Sequence, residues 1–303
     1  MKIFSFACVA LLAAGPLFAA TPINQSRPLA PDGKVSIDNL KGRIVVRTWA
    51  QPQVKITGSL GQGVEKFIVD GDAHSLTIKV KYPQNNSGGW FGWGKSDAKA
   101  EPTTLEVTLP VHASVSVDAV SADVDVQGLA GGKLSVDSVS GNVTVAASSP
   151  GEAAFDNVSG DLNLRLTSSK VKIDNVSGDL NLTGGFNGDL NIDSVSGPVK
   201  VIGSQINQFE LSSVSGDATL QLGLQPSATL STDAVSGSLT LVLPKAASAK
   251  LHAETFSGDI SAPVGHVNKE EYGPGQTLDA RIGNGQGQIK LETFSGNIKV
   301  ELQ

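Results

Sequence analysis

The chain has 303 residues, 40% of them hydrophobic and 5% aromatic, with 34 glycines and a formal net charge of −6. A core can be buried at that length, but small branched residues must fill most of it, which suits flat stacked strands better than a helix bundle. The acidic balance, without basic blocks, argues against nucleic acid and against electrostatic docking to anionic lipid.

Residues 1–20 read as a signal peptide. Met1-Lys2 gives a positive start, Ile3 to Ala14 is apolar, Gly15-Pro16 breaks the run, and Leu17-Phe18-Ala19-Ala20 offers small residues for cleavage after Ala19 or Ala20. The apolar run is shorter than the ~20 residues of a membrane span, and no later segment is long and apolar enough to form one. The only cysteine, Cys8, lies inside this segment. The mature chain therefore has no thiol for a disulfide, a thiolate metal site or a nucleophile. Residues 21–34, with three prolines, read as a flexible leader.

Residues 35–110 carry strand-like runs at Val35–Val46, Val54–Thr57, Phe67–Val69, Leu76–Lys81 and Leu105–Leu109. They are expected to form irregular first coils and an N-terminal cap. A loop over residues 83–102 interrupts them with Trp90, Phe91 and Trp93 among glycines. Rings on such a loop either contact a partner (glycan, lipid or protein) or fold back to plug an open end.

From residue 111 a repeat takes over. It reads VDSVSGNVTV from Val136, FDNVSGDLNL from Phe155, IDNVSGDLNL from Ile173 and IDSVSGPVKV from Ile192, with weaker copies elsewhere. The turn residues Ala122, Gly141, Gly160, Gly178, Gly197 and Gly216 recur at steps of 18 or 19. Two and four places after each turn, apolar residues alternate with polar ones, as in a strand with one buried face. Before the turn, apolar columns fall seven, five and two places back, as in Leu134-Val136-Val139 and Leu190-Ile192-Val195. All three are expected to point inward. Each copy is too short to enclose a core, so the copies must stack. The predicted fold is all-β: a single-stranded β-solenoid, or β-helix, of ~19-residue coils over residues 35–303. The step of 38 from Gly258 to Gly296 leaves room for one degenerate coil near Thr277–Ile282.

Two acidic columns accompany the turn. One stands four places before it, including Asp137, Asp156, Asp174 and Asp193. Carboxylates in a row can hold Ca²⁺ between coils, or they can serve the corner through nearby backbone N–H groups. The second column directly follows the turn. The four histidines share no metal-like spacing, and no phosphate loop, nucleophile elbow or zinc motif is present. No catalytic residue and no cofactor is expected. A pectate-lyase-like enzyme would need acidic and basic residues clustered on one face, and the repeat region offers only Arg165 and Arg281 as arginines.

The segments LEVTLPVHASVSVDAVSADVDV from Leu105 and IGNGQGQIKLETFSGNIKV from Ile282 resemble a large bacterial family of β-strand-repeat domains of unknown function named for adhesins. They are similar to the head (GIN) domains of autotransporter-like adhesins. The resemblance covers about residues 35–303. It implies an exported solenoid at the cell envelope, periplasmic or secreted, and supplies no catalytic residues. Together these readings lead to a non-enzymatic envelope protein that binds a polymer or protein partner. The alternative is a scaffold that self-associates by end-to-end stacking.

Overall fold

The computed structural model describes residues 20–83 and 100–303. Among the described residues every regular element is a strand. The central stack contains β7 (Ser114–Gln127), β8 (Lys133–Ser140), β9 (Val143–Ser148), β10 (Glu152–Ser159), β11 (Leu162–Asn175), β12 (Leu180–Ser194), β13 (Val199–Ser215) and β14 (Ala218–Ser236). Successive coils pair in parallel. Val117, Val136, Phe155, Ile173, Ile192 and Leu211 fall in one register row. Across the corner, Val124, Val143, Leu162, Leu180 and Val199 form another. Both rows are buried. Each side chain removed from water this way contributes about 1.5–3 kcal/mol.

The column two places before the turn departs from expectation. Val139, Val176 and Val195 point outward and are 46–47% exposed. The strand simply keeps its alternation up to the corner, so the inward place falls to the small polar residue before the valine. Ser138, Asn157, Asn175, Ser194 and Ser213 take it and are buried. The asparagines tie the corner: Asn157 Nδ2 donates to the Gly160 carbonyl at 2.9 Å and Asn175 Nδ2 to that of Gly178 at 3.1 Å. The corner serine does not bond locally. Ser177 Oγ donates to the Val158 carbonyl and Ser196 Oγ to that of Val176, each one coil away at 3.1 Å.

The ends are built out of sequence order. β2 (Lys34–Trp49) lies between β7 and the coil formed by β5 (Ser75–Lys81) and β6 (Thr103–Pro110). β3 (Gln53–Leu60) runs antiparallel along β6, and β4 (Lys66–Gly71) antiparallel along β5. Residues 21–34 are not a free leader, because β1 (Thr21–Pro28) pairs antiparallel with β3 from Thr21↔Leu60 to Pro28↔Gln53.

The C-terminal end repeats the device. β14 pairs with β20 (Gly287–Ser295), and β20 then pairs with β16 (Ala249–Ser257). On the second arm β21 (Ile298–Leu302) sits between β15 (Leu239–Leu243) and β17 (Ile260–Ser261). The last repeat is thus inserted between two earlier ones. The segment expected as a degenerate coil is β19 (Gln276–Ile282), which runs antiparallel to β16. A further strand, β18 (His266–Lys269), runs antiparallel to β19. One apolar core runs the length of the stack, from Ile23 to Val300.

Gly178 has φ +111°, and a Cβ there would lie 2.1 Å from the Gly160 carbonyl oxygen. Ala122, the exception in this column, avoids positive φ and is buried. We therefore expect Gly178→Ala to cost at least ~2 kcal/mol, through strain and a backbone clash. Ala122→Gly should cost only about 1 kcal/mol. Urea midpoints of the two variants check this, and equal losses would refute it.

Candidate functional site

The outward valines form a row along one face. It runs from Val120 through Val139, Val158, Val176, Val195, Val214 and Val235 to Phe294 and Phe256, with exposure from 42% at Val120 to 59% at Phe294. The two rings stack at 4.9 Å between centroids, 8° from parallel. At ~4.8 Å per coil the row is roughly 40 Å long. Contiguous exposed apolar surface on this scale marks a contact site more often than chance.

The acidic column lies beside it, because positions four and two before the corner share the outer face of one strand. Asp118, Asp137, Asp156, Asp174 and Asp193 follow one another in register. Acid and valine rows together line a shallow groove. A part of about 490 Å³ runs from Asp38 and Val120 to Val176. A part of about 720 Å³ continues from Asp174 and Val176 to Phe256 and Phe294.

Stacking at coil spacing perturbs the titration of Asp137 and Asp174. Asp137 is pushed up to about 6, first by burial and then by its neighbours Asp156 and Asp118. At Asp174 burial also pushes upward, but the Lys172 ammonium and hydrogen bonds with Asp156 and Asp193 outweigh it, and the carboxyl ends below its usual range. Lys79 pairs with Asp38 and Lys290 with Glu292 at 2.6 Å. The row therefore keeps a surplus of negative charge.

The second acidic column does a different job. Asp123 Oδ1 accepts the N–H of Asn142 at 2.9 Å, Asn142 Oδ1 that of Asp161 at 3.0 Å, and Asp161 Oδ1 that of Asp179 at 3.0 Å. These side chains hold the next coil's backbone and are part of the frame. The backbone-serving role thus belongs to this column, while Asp137, Asp156, Asp174 and Asp193 face the groove.

Trp90, Phe91 and Trp93 lie outside the described residues, as do residues 1–19 of the segment 1–20 expected to be a signal peptide. Arg165 and Arg281 are not brought together: they line separate depressions, Arg165 with Asn163 and Lys200, Arg281 with His252 and Lys290. The spacing Leu134-Val136-Val139 suggests an inward valine row, but strict alternation from Val136 turns Val139 outward, where it is found.

An all-β repeat with a grooved outer face defines the class of this protein. Residues 33–301 match the Toastrack DUF4097 family, and the chain belongs to it. No curated protein matches the chain in sequence. Three solved structures are similar over 93% of this chain: a "putative adhesin" from Bacteroides fragilis (15% identity, 98% of its chain, TM-score 0.46), a "putative adhesin" from Parabacteroides merdae (9% identity, 96% of its chain, TM-score 0.41) and a "putative lipid binding protein" from Parabacteroides distasonis (13% identity, 97% of its chain, TM-score 0.38).

The Asp137 shift predicts a pH effect. An acid whose folded pKa, about 6, lies above its ordinary 3.8 binds protons better folded than unfolded, so its contribution to stability falls as pH rises through that window. Asp137→Asn should be more stable than the parent at about pH 7.5, by no more than ~1 kcal/mol once solvent screening is allowed for, and the gain should close near pH 4. Urea midpoints against pH check it; a gain that grows toward low pH would contradict it.

Proposed function

We propose that this chain is an exported, non-enzymatic cell-envelope protein, a solenoid binding module that holds an extended polymer or protein partner in the groove between its valine and acidic rows. The observation that carries the reading is the unbroken exposed row from Val120 to Phe256 beside in-register carboxylates. A partner that fits both walls offers apolar groups and positive charge along one edge, since the acidic wall repels anionic surfaces. The signal-like residues 1–20 support export. The resemblance to adhesin-named repeat domains supports a contact role at the envelope, periplasmic or beyond. Among the described residues no helix is long and apolar enough to cross a membrane.

The scaffold alternative, in which coils stack end to end between chains, is disfavoured by the antiparallel strands at both ends. β4 covers β5, and β19 with β18 covers β16, so the parallel register is not offered to a second copy there.

Co-sedimentation of the purified mature protein with isolated outer membrane and with peptidoglycan tests the reading. Val176→Thr/Val195→Thr/Val214→Thr keeps β-branched residues on an exposed face, so the fold should survive. Its pelleted fraction should drop at least severalfold. Loss of pelleting in Trp90→Ala/Trp93→Ala alone would move the contact to the aromatic loop. If the parent pellets with neither fraction but sediments as concentration-dependent oligomers, the scaffold alternative takes its place.

A further inference from the structure

The out-of-order C-terminal end brings together side chains that lie far apart in the chain. β16 and β20 are parallel neighbours, with His252 opposite Lys290 and Glu254 opposite Glu292. Glu292 is also opposite Asp233 of β14. On the other side of β16, antiparallel β19 sets Asp279 opposite His252. His252 Nδ1 lies 2.8 Å from Asp279 Oδ1. The carboxylate holds the ring by that nitrogen and leaves Nε2 on the side of Glu254. Nε2 lies 3.7 Å from Glu254 Oε2, too far for a hydrogen bond. One donor atom from each of His252, Glu254 and Glu292 lies within 4.8 Å of the other two.

We infer that His252, Glu254 and Glu292 form a binding site for a divalent first-row transition cation, with Zn²⁺ the best match to one imidazole and two carboxylates. A carboxylate on the remote nitrogen of a ligating histidine fixes its tautomer and raises its basicity, which is the arrangement Asp279 provides. Ligand bonds of about 2.0–2.2 Å require the three donors to draw closer together. The side chains can do so, since all three are partly exposed on flexible stems. Lys290 occupies Glu292 Oε2 at 2.6 Å, so the metal would take the other oxygen.

The local charge calls for a cation. Three carboxyls, from Asp233, Glu292 and Glu254, stack on adjacent coils. The nitrogen donor distinguishes the site from an all-oxygen Ca²⁺ ladder. A metal here would add a side-chain cross-link to β16 and β20, two strands far apart in sequence that are joined by their parallel ladder. It would also sit at the Phe256–Phe294 end of the groove.

The test is isothermal titration of EDTA-stripped mature protein with ZnCl₂, with thermal melting in parallel. We expect saturable binding of one Zn²⁺ per chain, a rise in Tm, and no such rise with CaCl₂. His252→Ala and Glu292→Gln should each weaken binding by at least about tenfold, and Asp279→Asn by roughly tenfold. Glu65→Gln, at the N-terminal end of the stack where Glu65 pairs with Lys81, should bind as the parent does. The inference is overturned if the parent shows neither saturable heat nor a Tm rise. It is also overturned if both His252→Ala and Glu292→Gln, each shown to be folded by circular dichroism, bind Zn²⁺ like the parent.

Discussion

Backbone pairing between coils is the constraint on which everything else rests. A coil of this size has no partner strand within itself, so its N–H and C=O groups must be met by the coils on either side. The pairing continues around the corner: Val143 N–H donates to the Asp161 carbonyl and Leu162 N–H to that of Asp179, both at 2.9 Å. Corner backbones approach so closely that a Cβ on Gly160 would lie 2.3 Å from the Gly141 oxygen. The Ser-Gly phrase is therefore the signature of a stack.

Parallel register converts a repeated sequence into rows of like side chains. For Val, Ile and Leu facing inward, that makes a continuous core. For the polar residue before the exposed valine, it makes a buried ladder, with Asn157 Nδ2 donating to Asn175 Oδ1 at 2.8 Å. For carboxyls facing outward it creates a conflict, because like charges recur at coil spacing. The protein eases the conflict locally, with Lys172 on Asp174 and Lys290 on Glu292, and at Asp137 by a raised affinity for protons. The groove is the product of this geometry. One outward row is apolar, the next is acidic, and the strand period of two places them side by side.

A stack must also end, and an open parallel edge invites another chain. Both ends meet this need in the same way. At each end an inner coil lies out of sequence order between the main stack and an outer coil, and a strand of opposite direction covers the outer coil. At the N-terminal end β2 is the inner coil and β4 the cover; at the C-terminal end β20 is the inner coil and β19 the cover. The C-terminal version also creates the His252–Glu254–Glu292 group.

The repeat, its inward columns, the glycine corner and the strand runs of residues 35–110 were legible in the sequence because they are local: each depends on alternation and turn chemistry within one coil. The outward valines are the exception: their spacing implies a change of step before the corner, whereas the strand keeps its period and buries Ser138 and Asn157 instead. What no local pattern carries is the order of stacking. A parallel row looks the same in sequence whether its neighbours lie 19 or 38 residues away, and an antiparallel cover such as β19 alternates like any coil strand. Only the folded chain puts Glu292 between Asp233 and Glu254, pairs Thr21–Pro28 with β3, and sets Asp279 against His252. Those contacts are long-range, and the choice among them is made by which edge is left unpaired.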